Sequence, residues 1–149
     1  MLNWSVSSIR RAYLAGFLDA DGSIYVRLKP NRTYRYGFQV APYIVFFQSS
    51  KAKSRFGNVC SLIGLGNLRE RKDGILEYTI GRKEAIEVFL KKVGPHLILK
   101  KDQADLMLEI LKKKALVKNE RDFKSLMKLI QTFEELNYSK KRKKRRLTP

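Results

Sequence analysis

The sequence contains few of the residues that build disulfide frameworks, zinc sites or histidine-based active sites. Its 149 residues include one cysteine and one histidine. Disulfides need paired cysteines, a structural zinc site needs about four nitrogen or sulfur ligands, and nucleophilic cysteine needs a histidine and an orienting third group. If the chain is catalytic, we therefore expect its chemistry to depend on carboxylates, lysines, water and a metal ion.

Long apolar runs are also missing. No stretch approaches the roughly 18 uncharged apolar residues of a membrane span. The residues Met1-Leu2-Asn3-Trp4-Ser5 lack the basic-then-apolar order of a signal peptide. Hydrophobic residues nevertheless make up 44 %, which is enough for an ordinary core. We expect one domain with no membrane partner, intracellular, in the cytoplasm of a prokaryote or in an organelle.

Acidic residues are scarce. Asp and Glu number 14 against 32 Lys and Arg, which gives a formal net charge of +18. Seven consecutive basic residues form Lys140–Arg146, and removing them from +18 leaves +11 on the rest. We predict a folded domain over residues 1–137 and a basic, disordered tail over residues 138–149. Such a tail contacts phosphates, acts as a localisation signal or stays solvated; the basic domain favours phosphate contact.

Hydrophobic periodicity predicts an α+β fold in the order αββαββα, followed by two further helices. The helices would cover one face of an antiparallel sheet. The first helix is expected to start after a Ser7 or Ser8 cap and to run to about Ala20. Alternation and turn signals predict two hairpins. Their strands are Ser23–Lys29 with about Arg35–Phe47, and Asn67–Arg71 with Ile75–Ile80; the last two helices are about Lys101–Leu116 and Glu120–Asn137.

The uncovered face of this sheet is unusually basic, and its first hairpin has no acid between Ser23 and Gln48. A solvated face ordinarily mixes charges of both signs. Arg, Gln and Asn make bidentate contacts to base edges, and a two-stranded ribbon fits the major groove. The pattern favours nucleic-acid binding by the outward residues Tyr25, Arg27, Lys29, Arg35, Gln39, Tyr43, Asn67, Arg69, Arg71, Glu77 and Thr79.

The end of the first helix carries two acids, Asp19 and Asp21, behind a stripe of small residues. Ala12, Gly16 and Ala20 are spaced by four, so another backbone can approach this face closely. The partial negative charge of a helix C-terminus disfavours a carboxylate by a few tenths to about 1 kcal/mol. If two copies pack along the stripe, two Asp21 carboxylates and terminal carbonyls converge into an oxygen site for Mg²⁺ or Ca²⁺. A plain turn with solvated acids is the alternative.

The segment Leu14–Gly22 resembles the signature of the LAGLIDADG homing endonucleases and matches it at all but two positions. The order of elements also matches, so the resemblance covers about residues 7–137. A single copy of the motif resembles the homodimeric branch, whose αββαββα core forms a curved, saddle-shaped sheet on DNA. The resemblance implies metal-dependent hydrolysis of phosphodiesters in both strands, with a staggered cut at a long, pseudo-palindromic site.

The resemblance also implies individual roles. Asp21 and its symmetry mate would bind the divalent metal, helped by the Ala20 carbonyl, whereas Asp19 would be structural. The implied cofactor is Mg²⁺, and Ca²⁺ would occupy the site without supporting cleavage. The small-residue stripe would form the dimer interface.

Three further groups are implied near the metal. Gln48 would order the metal-site water, and Lys100 would lie near the scissile phosphate. The spacing of the family puts Ala52 where a second basic residue is expected, so either Lys51 or Lys53 would substitute for it. The implied base-reading positions are Tyr25, Arg27, Lys29, Asn31, Thr33, Tyr34, Gln39, Ala41, Tyr43, Arg69, Arg71, Glu77 and Thr79.

Two non-catalytic interpretations stand beside the nuclease. One is a protein of the same fold that only binds nucleic acid, either an RNA-splicing maturase with its own intron RNA as partner or a DNA-binding regulator. The other is a structural RNA-binding protein, which would explain the basic balance but not the paired acids.

Overall fold

The computed structural model describes residues 2–146 of the chain, and the side chains of residues 2–137. Within these residues the order of elements is the predicted αββαββα followed by two helices. Two short 3₁₀ turns, Ser50–Ala52 and Gly94–His96, precede the second and fourth helices. The elements are α1 Ser8–Asp21, β1 Gly22–Pro30, β2 Phe38–Ser49, α2 Lys53–Ile63, β3 Asn67–Glu70, β4 Ile75–Ile80, α3 Lys83–Val93, α4 Lys101–Ala115 and α5 Glu120–Arg146.

The four strands form one antiparallel sheet in the order β1-β2-β4-β3. This confirms the predicted α+β class. Pro42 lies within β2, where a proline is expected only at an edge or a bulge. It pairs with Val26 of β1, while the pairing with β4 begins at Ile44. Pro42 therefore lies where β2 has a neighbour on one side only, which is a position that tolerates a proline.

The core lies between the helices and the inward face of the sheet. Phe46 is fully buried at its centre, with ring centroids 5.5 Å from Phe17 and 5.8 Å from Phe89. The amino-terminal segment closes one side of this core, since the Trp4 indole donates to the Ile63 carbonyl at 2.8 Å. Cys60 belongs to the core, and burial raises the pKa of its thiol to about 11.

The first hairpin differs from the prediction at its turn. β2 begins at Phe38 rather than at Arg35, and residues 31–37 form the connection. Gly37 has φ +80°, which ends the turn, and its carbonyl accepts the Asn31 N–H at 2.8 Å. Tyr36, which alternation predicts to be a strand residue, instead stacks on Phe123 of α5 with centroids 4.8 Å apart. The contact with α5, rather than the local alternation of the sequence, therefore determines the position of Tyr36.

Other boundaries differ as well: β1 is one residue longer at each end than predicted, and β2 ends at Ser49 rather than at Phe47. β3 ends at Glu70, one residue earlier than predicted, and α5 continues beyond Asn137 to Arg146. The side chains from residue 138 onwards lie outside the described residues, so the disordered tail over 138–149 stays a prediction. In the part of the chain described, no helix combines the length and apolarity needed to cross a membrane.

The aromatic centre of the core predicts the effect of a cavity. We expect Phe46→Ala to lower the free energy of unfolding by about 3–5 kcal/mol, because it removes fully buried ring contacts. Phe38→Ala makes the same change at an exposed position of the same strand. This control should cost less than about 1 kcal/mol. Urea unfolding of both variants measures the difference; equal losses would show that Phe46 is not central to the core.

Candidate active site and nucleic-acid interface

The end of α1 delivers an acid to the edge of the sheet. Asp21 is the last residue of the helix and is exposed, and Gly22 caps the helix and begins β1. A Cβ at Gly22 would collide with the Leu18 side chain and lie 3.0 Å from Leu18 Cα, so a larger residue here would force the last turn of the helix to shift. The Asp21 carboxylate makes no hydrogen bond or ion pair with the described residues.

Asp19 has a different environment. Its Oδ2 accepts the N–H groups of Ile98 at 2.9 Å and Leu99 at 3.1 Å, and its Oδ1 accepts the Lys100 N–H at 3.0 Å. Burial alone raises the pKa of Asp19. The three N–H donors and the Lys100 charge more than offset this, so the pKa lies below its ordinary value of 3.8. These contacts are consistent with the structural role that the family resemblance implies for Asp19, which stays a prediction.

Lys100 is held against the same helix end. It is only 9 % exposed, and its ammonium donates to the Asp19 carbonyl at 2.7 Å. That carbonyl immediately precedes Ala20 and Asp21 in the chain. Lys100 therefore lies beside the predicted metal ligands, although about 80 residues separate them in sequence.

The register of the sheet puts Gln48 at this end as well. Gly22 pairs with Phe46, so Gln48 lies two residues further along β2, past the start of β1. Gln48 is partly buried, and its Oε1 accepts the Ser49 N–H at 3.0 Å. Its side chain thus has a fixed orientation close to where α1 ends.

The two candidates for the second basic residue follow at once. Lys51 lies in the 3₁₀ turn after β2; it is exposed and forms no ion pair with the described residues. Lys53 begins α2, and its ammonium pairs with Glu70 at 3.0 Å. An exposed pair of this kind contributes at most about 1 kcal/mol, yet it orients Lys53 towards β3. The geometry favours Lys51.

An open cleft of about 640 Å³ lies beside the helix end, between β1, the start of α4 and the middle of α5. Sequence reasoning missed most of its polar lining, because these residues come from elements far apart in the chain. The Asn137 amide donates to the Ile24 carbonyl at 2.9 Å and so fastens α5 to the edge strand β1. The polar lining comprises Ser23, Arg27, Lys100, Gln103, Glu134 and Asn137.

The outward face of the first hairpin carries the predicted aromatic and basic residues. Tyr25 pairs with Tyr43 across the strands, with ring centroids 5.3 Å apart. The Arg27 guanidinium lies 5.7 Å from the Tyr25 ring, and the Lys29 ammonium donates to the Tyr43 hydroxyl at 2.9 Å. Burial raises the pKa of Tyr25, so its hydroxyl remains a hydrogen-bond donor. Gln39 completes this face opposite Lys29.

The second hairpin continues the face. Glu77 accepts from Arg69 at 3.1 Å and from Arg71 at 3.3 Å, while Asp73 accepts from Arg71 at 2.6 Å. The single acid on β4 thus holds two guanidiniums in place. The neighbouring outward positions are Asn67 and Thr79, which pair with each other across the strands.

The hairpin connection changes the environment of several predicted contact residues. Arg35 was expected on the strand face, but it lies in the turn and donates to the Lys118 carbonyl at 3.4 Å. Asn31 accepts from the N–H and hydroxyl of Thr33, which shapes the tip. Tyr34 is exposed there. Ala41 faces outward opposite Arg27 but is buried, so its side chain offers little accessible surface.

One face of α1 is left open. The small residues of the stripe, Ala12, Gly16 and Ala20, are exposed, and a Cβ at Gly16 would meet nothing within 4 Å. On the same side, Ile9 is 83 % exposed and Tyr13 53 % exposed. On the opposite side of the helix, Leu14, Ala15 and Leu18 are buried. An apolar face this exposed suits a helix from another molecule.

The sequence of this region decides the family. The model of the LAGLIDADG endonuclease family matches residues 14–96, more than half of the chain. The chain belongs to the LAGLIDADG endonuclease family. The match starts at the motif of α1 and runs through both hairpins to the turn before α4, so it contains Asp21, Gln48 and the outward faces of the sheet.

Two relatives of this LAGLIDADG protein are DNA endonucleases by name. It is 34 % identical over 105 residues to the DNA endonuclease I-CvuI of Chlorella vulgaris, which covers 70 % of this chain and 65 % of that protein, a little under two thirds. It is 32 % identical over 132 residues to the DNA endonuclease I-CreI of Chlamydomonas reinhardtii, covering 88 % of this chain and 80 % of that one.

Solved structures of homing endonucleases share the fold of this chain. The homing endonuclease I-CvuI, in complex with its target in the presence of 2 mM Ca, superposes with a TM-score of 0.80 at 30 % identity, over 87 % of this chain and 82 % of that one. A complex of I-CvuI with the I-CreI target in the presence of 2 mM Mg, in which the DNA is not cleaved, gives the same TM-score over 86 % and 82 %. The archaeal intron-encoded homing endonuclease I-Vdi141I, complexed with DNA, shares the fold at 22 % identity, TM-score 0.75, over 86 % and 84 % of the chains.

If DNA binds to the basic face of the sheet, removing positive charges from this face should weaken binding more than removing the same number elsewhere. We expect Arg27→Gln with Arg69→Gln to weaken duplex DNA binding at least about tenfold, since each lost guanidinium contact is worth about 1–3 kcal/mol. Lys91→Gln with Lys112→Gln removes two charges from the groove between α3 and α4. Fluorescence anisotropy should show less than about a threefold change for this pair. Equal weakening by both pairs would mean that only net charge matters.

Proposed function

We propose that this LAGLIDADG protein is a homodimeric, divalent-metal-dependent homing endonuclease that makes a staggered double-strand cut at a long, pseudo-palindromic DNA site. One observation carries the proposal: the open small-residue face of α1 ends at Asp21, beside Lys100 and Gln48 and at the edge of a basic, outward-facing sheet. Its relatives I-CvuI and I-CreI, named as DNA endonucleases, support the same activity.

The number of carboxylates at the site supports a dimer. Among the described residues, no group of three or more His, Cys, Asp and Glu side chains surrounds a common point. One protomer brings a single exposed acid, Asp21, to the end of α1. Packing two α1 helices along Gly16 would place two such acids on one axis. Each strand of the duplex would then face one copy of the site, and the dimer would cut both strands.

The donor set fits a hard divalent cation. Asp21 offers carboxylate oxygens, and the carbonyl of Ala20 belongs to the last turn of α1, where helix carbonyls lack intrahelical partners. Oxygen ligands completed by water suit Mg²⁺, and Ca²⁺ would occupy the same place without supporting cleavage. The chemistry that such an ion supplies is activation of water and neutralisation of charge on the phosphate.

The remaining roles belong to the chain. The Gln48 amide would orient the attacking water. Lys100, already fixed beside the helix end, would stabilise the charge that develops on the scissile phosphate. Lys51 would supply the second positive charge, because Lys53 is directed towards Glu70.

The dimensions of the sheet suit a long target. β1 has nine residues. At about 3.3 Å per residue it spans about 30 Å, or roughly nine base pairs at about 3.4 Å each. Two protomers would therefore read on the order of 18 base pairs. Intron RNA as a further partner and an intracellular, prokaryotic or organellar location stay predictions.

The metal ligand gives the first test. A duplex selected from a randomised library in the presence of Mg²⁺ serves as substrate. We expect Asp21→Asn to lower the cleavage rate about a thousandfold or more, since a lost metal ligand removes several kcal/mol of transition-state stabilisation. EDTA should abolish wild-type cleavage. Asp21→Asn should bind the same duplex in Ca²⁺ with nearly the affinity of the wild type.

A matched control keeps this test specific. Asp105→Asn removes a carboxylate from the exposed side of α4, where it pairs with Lys101. This variant should cleave at the wild-type rate. If Asp21→Asn cleaves as well as the control, Asp21 has no place in the mechanism. If the wild type binds the selected duplex but never cuts it, the chain is a binding protein.

The open face of α1 gives the second test. We expect Gly16→Leu to weaken dimerisation at least about tenfold, because an added side chain in a close helix contact costs about 1–3 kcal/mol. Gly57→Leu is the control, since it also adds a side chain at a helical glycine with nothing within 4 Å of its Cβ. Sedimentation velocity measures both. An unchanged dimer in Gly16→Leu would place the interface elsewhere.

A further inference from the structure

The contact between Asp19 and the segment that precedes α4 is used by no step of the proposed reaction. A carboxylate in the last turn of one helix accepts three successive backbone N–H groups, at 2.9, 3.1 and 3.0 Å, from residues 98–100. Both of its oxygens are occupied in this way. Asp19 therefore holds this backbone segment through both of its carboxylate oxygens.

Other contacts hold the two ends of this segment: the Leu97 N–H donates to the Gly94 carbonyl at 3.0 Å, and the Lys100 carbonyl accepts the Ala104 N–H at 2.9 Å as the first hydrogen bond of α4. Between these ends, side-chain packing contributes little. Leu97 is buried, but the next two side chains, Ile98 and Leu99, are 82 % and 73 % exposed. These two residues therefore add almost no apolar burial to hold their backbone in place. Since hydrogen bonds to a charged acceptor are stronger than those between neutral groups, the Asp19 carboxylate contributes strongly to where the backbone of residues 98–100 lies.

Lys100 completes a reciprocal link. Its backbone N–H donates to the Asp19 carboxylate at 3.0 Å, and its ammonium donates to the Asp19 carbonyl at 2.7 Å. Residues 19 and 100 are thus joined through both the backbone and the side chain of each. Movement of the segment would move the ammonium relative to the helix end that carries Asp21.

We infer that Asp19 is a positioning residue for Lys100: by holding the N–H groups of residues 98–100, it fixes the Lys100 ammonium against the end of α1. The inference rests on the proposed nuclease function, in which Lys100 stabilises the scissile phosphate. It makes the two acids of the motif complementary. Asp21 would act at the substrate, and Asp19 would fix the position of the Lys100 ammonium that acts beside it.

A double-mutant cycle tests this link. Single-turnover cleavage of the selected duplex in Mg²⁺ is measured for the wild type, Asp19→Asn, Lys100→Met and the double variant. Asparagine keeps the size of aspartate but loses its charge and one acceptor oxygen. We expect Asp19→Asn to lower the rate about 10- to 100-fold in the wild-type background, the scale of a misplacement near 1 Å.

The decisive value is the effect in the Lys100→Met background. If Asp19 acts through Lys100, Asp19→Asn should change that rate by less than about twofold, within the usual error of additivity. The same factor in both backgrounds would overturn the inference, because Asp19 would then act independently, for example on the metal or on folding. No loss in the wild-type background would overturn it equally.

Two measurements separate positioning from folding. Thermal unfolding and sedimentation should show folded dimers for Asp19→Asn and for the control Asp105→Asn. If Asp19→Asn does not fold, Asp19→Glu, which keeps the charge but shifts it by one methylene, takes its place in the cycle. If neither variant forms a folded dimer, Asp19 is purely structural and the inference is wrong.

Hydrogen exchange provides a readout that is independent of cleavage. The amides of Ile98, Leu99 and Lys100 should exchange faster in Asp19→Asn than in the wild type. Unchanged exchange would mean that the contact does not hold the segment, which overturns the inference. If the wild type cuts no selected duplex, the proposed function fails, whereas this exchange comparison still reports on the contact itself.

Discussion

The fold and the candidate site both depend on how α1 is buried along one side and open along the other. Leu14, Ala15 and Leu18 are fully buried and fix the helix against the sheet. A period of 3.6 residues puts the small residues around Gly16 on a different side, where no neighbour fills the space. The same helix can therefore anchor the core and offer a contact face. Its passage into β1 through Gly22 then fixes where the last acid lies.

The two acids of the motif show how environment assigns different roles to like residues. A carboxylate at a helix C-terminus meets the partial negative charge of that end. Asp19 offsets this with three N–H groups from the segment that leads into α4, which also brings the positive end of that helix near it. Asp21 has no such donors among the described residues and stays exposed. A cation shared with a second copy is the arrangement that would compensate it.

Local patterns predict much of this molecule, and distant contacts account for the rest. Alternation along β1 correctly predicts that Tyr25 and Arg27 share the outward face, because successive strand residues point to opposite sides. The predicted start of β2 at about Arg35 was wrong, because Tyr36 lies in the turn, where its ring stacks on Phe123. The contacts of Asp19 span 79 to 81 residues, and no periodicity encodes such a separation. The choice between the two candidate lysines after β2 likewise needed the position of an acid on β3.

Charge and shape then divide the work of the proposed dimer. Two chains of formal charge +18 would repel each other, and a contact through the uncharged, open face of α1 would bring no further positive charges together. The basic sheet faces a different direction and is available to a duplex, which carries one negative charge per about 1.7 Å of its axis. Glu77 is an acid on this basic face. It pairs with both Arg69 and Arg71, so it orients two guanidiniums while offsetting one positive charge. Bound DNA would screen the repulsion between the protomers, so assembly and substrate binding are expected to stabilise one another.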